Sequence, residues 1–411
     1  MDTGKPLRNA ADPMPGSVHT IGLYIHIPFC ETKCPYCDFN TYAGIENLIP
    51  GYLAALETEI ERWGLLLSAP ALDTVFFGGG TPSYVPSTGI ASLTAAYGRA
   101  FNLESNAEVT LEANPDDVTN EKLAGWLEAG INRLSMGVQS FDDGLLAALG
   151  RRHTADDAVQ AFKRLRAAGF DNASIDLMFG LPSQTLEHWE ESLDRALELE
   201  TDHLSLYGLQ LEPGTPLEAA VRRGDVPEPD QDLAADMYLS AMERLEHAGY
   251  RHYEISNWAK PGRESLHNLT YWRNSAYLGV GPGAHSSLNG LRFANMKSPR
   301  GYVRAMASEP PKADGDPIEA MRLGGPVDFV EETTQDMAIG ETMMMGLRLD
   351  YGVRDEEFRS RFGRGLSEVF PTQIRELTGV GLLESDAEGI RLTRQGRLLG
   401  NEVFQRFLSV D

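Results

Sequence analysis

The 411-residue chain is 42% hydrophobic, enough to bury the cores of two or three domains. With 60 Asp and Glu against 36 Lys and Arg it carries a formal charge of −24, which sets it against nucleic acid or an anionic membrane surface as a partner. No run approaches the roughly 20 apolar residues of a membrane span, and no signal-peptide pattern opens the chain, so the expected home is the cytoplasm.

Residues 1–18, with Pro13, Pro15 and Gly16, read as a flexible leader. From there to residue 215, short apolar or β-branched runs at 23–29, 74–77, 108–113, 133–138, 173–179 and 203–209 predict six strands. Helical periodicity fills the gaps at 48–67, 89–100, 120–129, 155–168 and 185–199, and Gly130 and Gly169 mark helix ends. Such alternation predicts right-handed βαβ units and a parallel sheet, either curled into a partial barrel or lying flat and doubly wound. In both cases function belongs at the C-terminal ends of the strands.

Residues 216–298 extend this core. Pro- and Gly-rich residues 299–330 read as a linker, and 331–411 as a separate domain. In that domain helices are predicted at 334–347, 355–362 and 366–377, then a hairpin at 382–393 and a last helix at 393–408, an α+β order similar to a winged helix. Ten Arg against fifteen Asp and Glu give it −5, the wrong sign for DNA, so covering the barrel or meeting protein partners is the expectation.

All three cysteines fall within eight residues, Cys30, Cys34 and Cys37, spaced C-x3-C-x2-C. Their odd number, with no other cysteine in the chain, argues against a disulfide framework. Three thiolates can hold three irons of a cubane iron–sulfur cluster and leave the fourth iron open. A Cys3His zinc site completed by His26 is the alternative, and the spacing favours the cluster. The other strands also deliver polar or glycine-rich elements to one rim: Gly78-Gly79-Gly80-Thr81-Pro82 after the second, Glu112 with Asn114 closing the third, Gln139 closing the fourth, and Asp176 inside the fifth with Gly180-Leu181-Pro182 after it.

These residues resemble a radical S-adenosylmethionine protein. Within that superfamily the chain is similar to the oxygen-independent coproporphyrinogen dehydrogenase group through Tyr24-Ile25-His26-Ile27-Pro28-Phe29-Cys30, the glycine run, residues 133–141 and residues 175–182, over about 23–399. The dehydrogenases carry a fourth cysteine two residues after the third, where this chain has Phe39. That difference, with His267-Asn268-Leu269-Thr270-Tyr271-Trp272 as an H-N-x-x-Y-W motif, resembles the HemW heme-chaperone branch.

The resemblance implies a partial (β/α)6 radical-SAM barrel with a C-terminal α+β winged-helix-like domain. It implies a [4Fe–4S] cluster on Cys30, Cys34 and Cys37, S-adenosylmethionine, and heme. Glu112 would accept from the methionine amine, Arg151 would pair with the carboxylate, and Gln139 and Asp176 would reach the ribose. Gly79, Gly80 and Thr81 would line the cofactor, with Tyr24 and Tyr36 at the border of cluster or cofactor. His267 leads as heme ligand, then Tyr271, with His252 and His285 behind.

The implied activity is heme binding and transfer to acceptor proteins, membrane-associated ones among them, and a homodimer is compatible with it. The rival is radical decarboxylation of coproporphyrinogen III, and a DNA-binding regulator is remote. Two motifs stay outside this reading. Residues 279–286 resemble a phosphate loop without its lysine and read as a turn near the cofactor, and Met343-Met344-Met345 read as core packing.

Overall fold

The computed structural model describes residues 20–308 and 316–408, so the leader expected over 1–18 lies outside the described residues. Its centre is six parallel strands, β1 (Thr20–Ile27), β2 (Ala71–Gly79), β3 (Asn102–Ala113), β4 (Arg133–Gln139), β5 (Ala173–Phe179) and β6 (His203–Gly208). The connections carry α1 (Ile49–Leu66), α2 (Ser87–Ala100), α3 (Asn120–Glu128), the pair α4 (Asp143–Ala148) and α5 (Ala155–Ala168), and α6 (Leu186–Glu198). Strand order in the sheet equals strand order in the chain. Every crossover therefore steps the same way, and right-handed crossovers then put all the helices on one face. A doubly wound sheet needs a reversal, so the flat alternative falls and the partial barrel stands.

The pleat sorts the residues. Leu23, Ile25, Val75, Phe77, Leu111, Leu134, Met136, Ile175 and Leu177 are buried in the main core under the helices. Their alternates, among them Glu108, Thr110, Arg133, Ser135, Ser174 and Ser205, give the inner face a polar lining that is also buried. A polar interior is tolerated only where its groups find partners.

The strands do not close into a ring. After α7 (Pro216–Arg223) and α8 (Gln231–His247) come β7 (Arg251–Glu254) and β8 (Asn257–Ala259), and β8 pairs antiparallel with β6. Helix α9 (Leu266–Trp272) then leads to β9 (Tyr277–Val280), which runs parallel to β1, and to β10 (His285–Leu288) and β11 (Leu291–Asn295). The segment read as a linker is instead structured where it is described. It holds α10 (Pro299–Met306) and α11 (Pro317–Gly324), and its end begins β12 (Val327–Glu332), the edge strand beside β11. Pro299 and Pro317 sit at the first turns of these helices, where a missing N–H costs nothing.

The remaining residues form a second core. It contains α12 (Gln335–Gly346), the short β13 (Val353–Arg354), α13 (Asp355–Phe362), α14 (Leu366–Val369), α15 (Pro371–Gly379), the hairpin β14 (Leu383–Ser385) and β15 (Gly389–Leu392), α16 (Arg394–Leu398) and α17 (Gly400–Phe404). This is a small α+β unit with sheet order β13-β15-β14. Met343 is fully buried in it, in line with packing rather than metal ligation.

Candidate cofactor site

Cys30, Cys34 and Cys37 lie on the loop after β1. That loop is tied down by its own backbone, Cys30 N–H to Tyr42 O at 3.0 Å and Cys37 N–H to Cys34 O at 3.1 Å. The glycine run after β2 holds it from the other side, through Gly80 N–H to Ile27 O at 2.7 Å and Thr81 N–H to Phe29 O at 2.8 Å. Glycine is required at 79, where φ is +109° and a Cβ would stand 2.5 Å from the His26 ring, and at 80, where a Cβ would strike the Ile27 and Phe29 carbonyls. The run therefore serves close packing against the cysteine loop as well as cofactor access.

These pieces open onto one cavity of about 550 Å³ at the C-terminal ends of the strands. Its walls bring together the three cysteines, Tyr36, Gly79, Gly80, Thr81, Glu112, Gln139, Arg151 and Asp176, each expected from the sequence. Arg151 reaches in rather than out to solvent: Nη2 donates to Asn114 Oδ1 and Gly137 O, both at 2.7 Å, and Nη1 approaches Cys34 Sγ at 3.7 Å. Gln139 ends β4 with a left-handed φ of +71°, rare for a residue with a side chain, and its Oε1 is buried without a partner. Burial and the neighbouring charge of Asp176 push the Glu112 carboxyl up to about 8. Asp176 is itself raised by burial, while its Oδ1 accepts from Ser135 at 3.0 Å and Ser174 at 3.3 Å.

This donor set suits the implied cofactors: the orphaned Gln139 Oε1 lacks the donor that a ribose hydroxyl would supply, and the Glu112 carboxyl faces the same cavity as an acceptor for an amine. Three thiolates around one cavity match a cubane, which takes one thiolate per iron. The zinc alternative lacks its fourth ligand, because both ring nitrogens of His26 are engaged, Nε2 donating to Asn40 O at 3.0 Å and Nδ1 bonded to the Tyr24 hydroxyl at 3.0 Å.

Several of the expected residues lie away from this cavity. Tyr24, expected beside the cofactor, does not line the cavity; it bonds His26 and stacks on Phe76 inside the barrel. His267, expected first among heme ligands, is 1% exposed and packs beside Gly22 and Thr74, in the N-terminal halves of β1 and β2. Its Nδ1 shares a hydrogen bond with Thr74 at 2.9 Å and its Nε2 one with Tyr271 at 2.9 Å, so neither nitrogen is free in this conformation. Burial lowers it to about 3, which keeps the ring neutral. The N-terminus of α9 is clamped by Glu108, whose two oxygens accept from the Leu266 and His267 N–H groups at 3.1 Å each.

His252, one of the secondary heme candidates, is stacked on Trp258, and burial with Arg397 nearby lowers it to about 3. The exposed His285 starts β10 and lines no part of the cavity. The turn at 281–283 packs against the cysteine loop through Asn40 Nδ2, which donates to Pro282 O at 2.9 Å, and it stays outside the cavity wall.

Other wall residues carried no sequence signal of their own. Asn114 stood out only as a strand end, and Ser135, Met178 and Tyr207 face the cavity because β4, β5 and β6 point them there. The inward alternation of those strands is the signal that could have found them. Phe39, at the fourth-cysteine position, lies at the cavity mouth with 65% of its surface exposed.

Comparison with known proteins follows the same division. Residues 24–196 match the Radical SAM superfamily and residues 333–399 the HemN C-terminal domain. The chain is 42% identical to "Heme chaperone HemW" of Bacillus subtilis over 94% of this chain and 98% of that protein. It is 39% identical to the mouse "Radical S-adenosyl methionine domain-containing protein 1, mitochondrial" over 93% and 86%. Among solved structures, the coproporphyrinogen III oxidase HemN from Escherichia coli superposes with a TM-score of 0.80 at 25% identity, over 95% of this chain and 90% of that one.

Proposed function

This chain belongs to the HemW family of radical SAM proteins, and on that premise we propose that it is a heme chaperone, binding heme in the cytoplasm and handing it to acceptor proteins. The observation that carries the reading is the near-full-length identity to several HemW proteins in a chain with Phe39 where the dehydrogenases keep a cysteine. No helix among the described residues is long and apolar enough to cross a membrane, so a membrane-bound acceptor would be met from outside the bilayer.

Cys30, Cys34 and Cys37 would hold the cluster, with Glu112 and Arg151 binding the amine and carboxylate of S-adenosylmethionine and Gln139 and Asp176 its ribose. When bound, that pair supplies reductive cleavage to an adenosyl radical. The chain's own residues would orient the cofactor through these polar groups. His267 would ligate heme only by giving up its hydrogen bond to Thr74 or the one it shares with Tyr271.

Anaerobic heme titration of the cluster-reconstituted protein tests the reading. The expected outcome is a saturable, shifted Soret band at one heme per chain. Weakening in His267→Ala, checked for folding, would assign the heme to α9; an unchanged band would assign it elsewhere on the chain. Absence of any binding, with turnover of coproporphyrinogen III instead, would replace the chaperone by the dehydrogenase.

A further inference from the structure

The sulfur atoms of the candidate cluster site are not bare. Thr81 Oγ1 donates to Cys30 Sγ at 3.4 Å, and Arg151 Nη1 reaches Cys34 Sγ at 3.7 Å. The two donors are themselves linked. Asn114 Nδ2 donates to Thr81 Oγ1 at 3.5 Å, while Asn114 Oδ1 accepts from Arg151 Nη2 at 2.7 Å. A hydroxyl has one proton to give, so a donor directed onto its oxygen turns that proton the other way, toward Cys30. Asn114 is fixed in turn by its backbone, whose N–H donates to Ser83 Oγ at 3.1 Å, and Ser83 donates to Asp117 at 2.8 Å. Thr81 is 8% exposed and Ser83 fully buried, so water does not compete freely for these bonds.

We propose that Asn114 is a positioning residue whose single amide aims one donor at each of two cluster cysteines, Thr81 at Cys30 and Arg151 at Cys34, and so sets the reduction potential of the cluster. Donors on ligand sulfur draw off negative charge and favour the reduced state, in which the cluster carries one more electron. The inference rests on the cluster reading above.

The test is a redox titration of the anaerobically reconstituted full-length protein, followed by the electron paramagnetic resonance of the reduced cluster, with iron and sulfide counted per chain. Thr81→Val keeps the shape and removes the donor, so it is expected to load like the parent with a midpoint at more negative potential. Thr81→Ser restores a hydroxyl and is expected to return the midpoint. Asn114→Ala releases both donors and is expected to move it in the same direction as Thr81→Val. A fully loaded Thr81→Val with an unmoved midpoint overturns the relay while leaving the cluster intact. If Thr81→Val loads poorly, Asn114→Ala against Thr81→Ser decides by the same readout. A parent chain that takes up no four-iron cluster sinks the cluster reading itself, and the relay with it.

Discussion

Glu112 shows how a single buried acid records what its cavity is built to receive. In the free protein its carboxyl keeps a proton up to about pH 8, whereas in the unfolded chain it would release it near 4.5. Because the folded state binds the extra proton, stability falls as pH climbs between those two values. Glu112→Gln removes that slope. In ligand-free protein it is expected to gain about 1–2 kcal/mol over the parent at pH 8, less than a sealed interior would give because the side chain faces the open cavity. The same variant is expected to weaken S-adenosylmethionine binding about tenfold or more. Urea unfolding at pH 5 and pH 8 checks the first effect and equilibrium dialysis the second; parallel pH profiles for the two proteins would refute the account. The places of Glu112 and Gln139 at strand ends and of Asp176 within β5 were legible because their motifs are local. Asn114's two-sided role was not, since it exists only where β3, the glycine run and the segment before α5 meet.

Elements with strong local signals were readable almost to the residue, and those shaped by pairing were not. The strand at Ala173–Phe179 and the helix at Ala155–Ala168 fall where periodicity set them. By contrast β7 to β11 are three to five residues each, too short to show a period, and they exist because the barrel's open edges need partners. A single helix expected over 366–377 is broken at Phe370-Pro371, where the proline disfavours helical backbone in the residue before it. Helix α5 follows the loop of Arg151, whose own N–H is held by Leu146 O of α4 at 2.9 Å. Thr154 and Asp157 cap it reciprocally, with Thr154 N–H to Asp157 Oδ2 at 2.9 Å and Asp157 N–H to Thr154 Oγ1 at 3.2 Å. Those bonds hold the Asp157 carboxyl below its ordinary range. Thr154→Ala is expected to cost about 1 kcal/mol, read as a lower urea midpoint with an unchanged slope. No loss would mean the cap is redundant with Asp143, which also holds the Ala155 N–H at 2.8 Å.

At the scale of the molecule, two separate cores meet around α9 and the β7–β8 hairpin. Arg348 joins them: its guanidinium lies 5.1 Å from the Trp272 ring and 4.8 Å from the Phe404 ring, and the charge of buried Glu254 acts on it. Burial raises Glu254 to about 7, so removing this cation leaves an acid that resists ionising at neutral pH. Arg348→Ala is expected to cost about 2 kcal/mol and to split one calorimetric melting transition into two, the smaller C-terminal unit melting first. A single transition, merely shifted, would mean the units stay coupled by their remaining contacts. The docking was not legible in the sequence, since it depends on cations whose partners lie far off along the chain.

The clamp on α9 has a last consequence, one of reach. His267 meets β2 at Thr74 and stacks on Phe76, while the cavity begins at Gly79 on the same strand. From Phe76 to Gly79, at about 3.3 Å per residue, is roughly 10 Å of rigid strand. While α9 stays clamped, its imidazole is held apart from the cavity floor by that length of strand, so a ligand that touched both would have to lie along the barrel axis rather than across it.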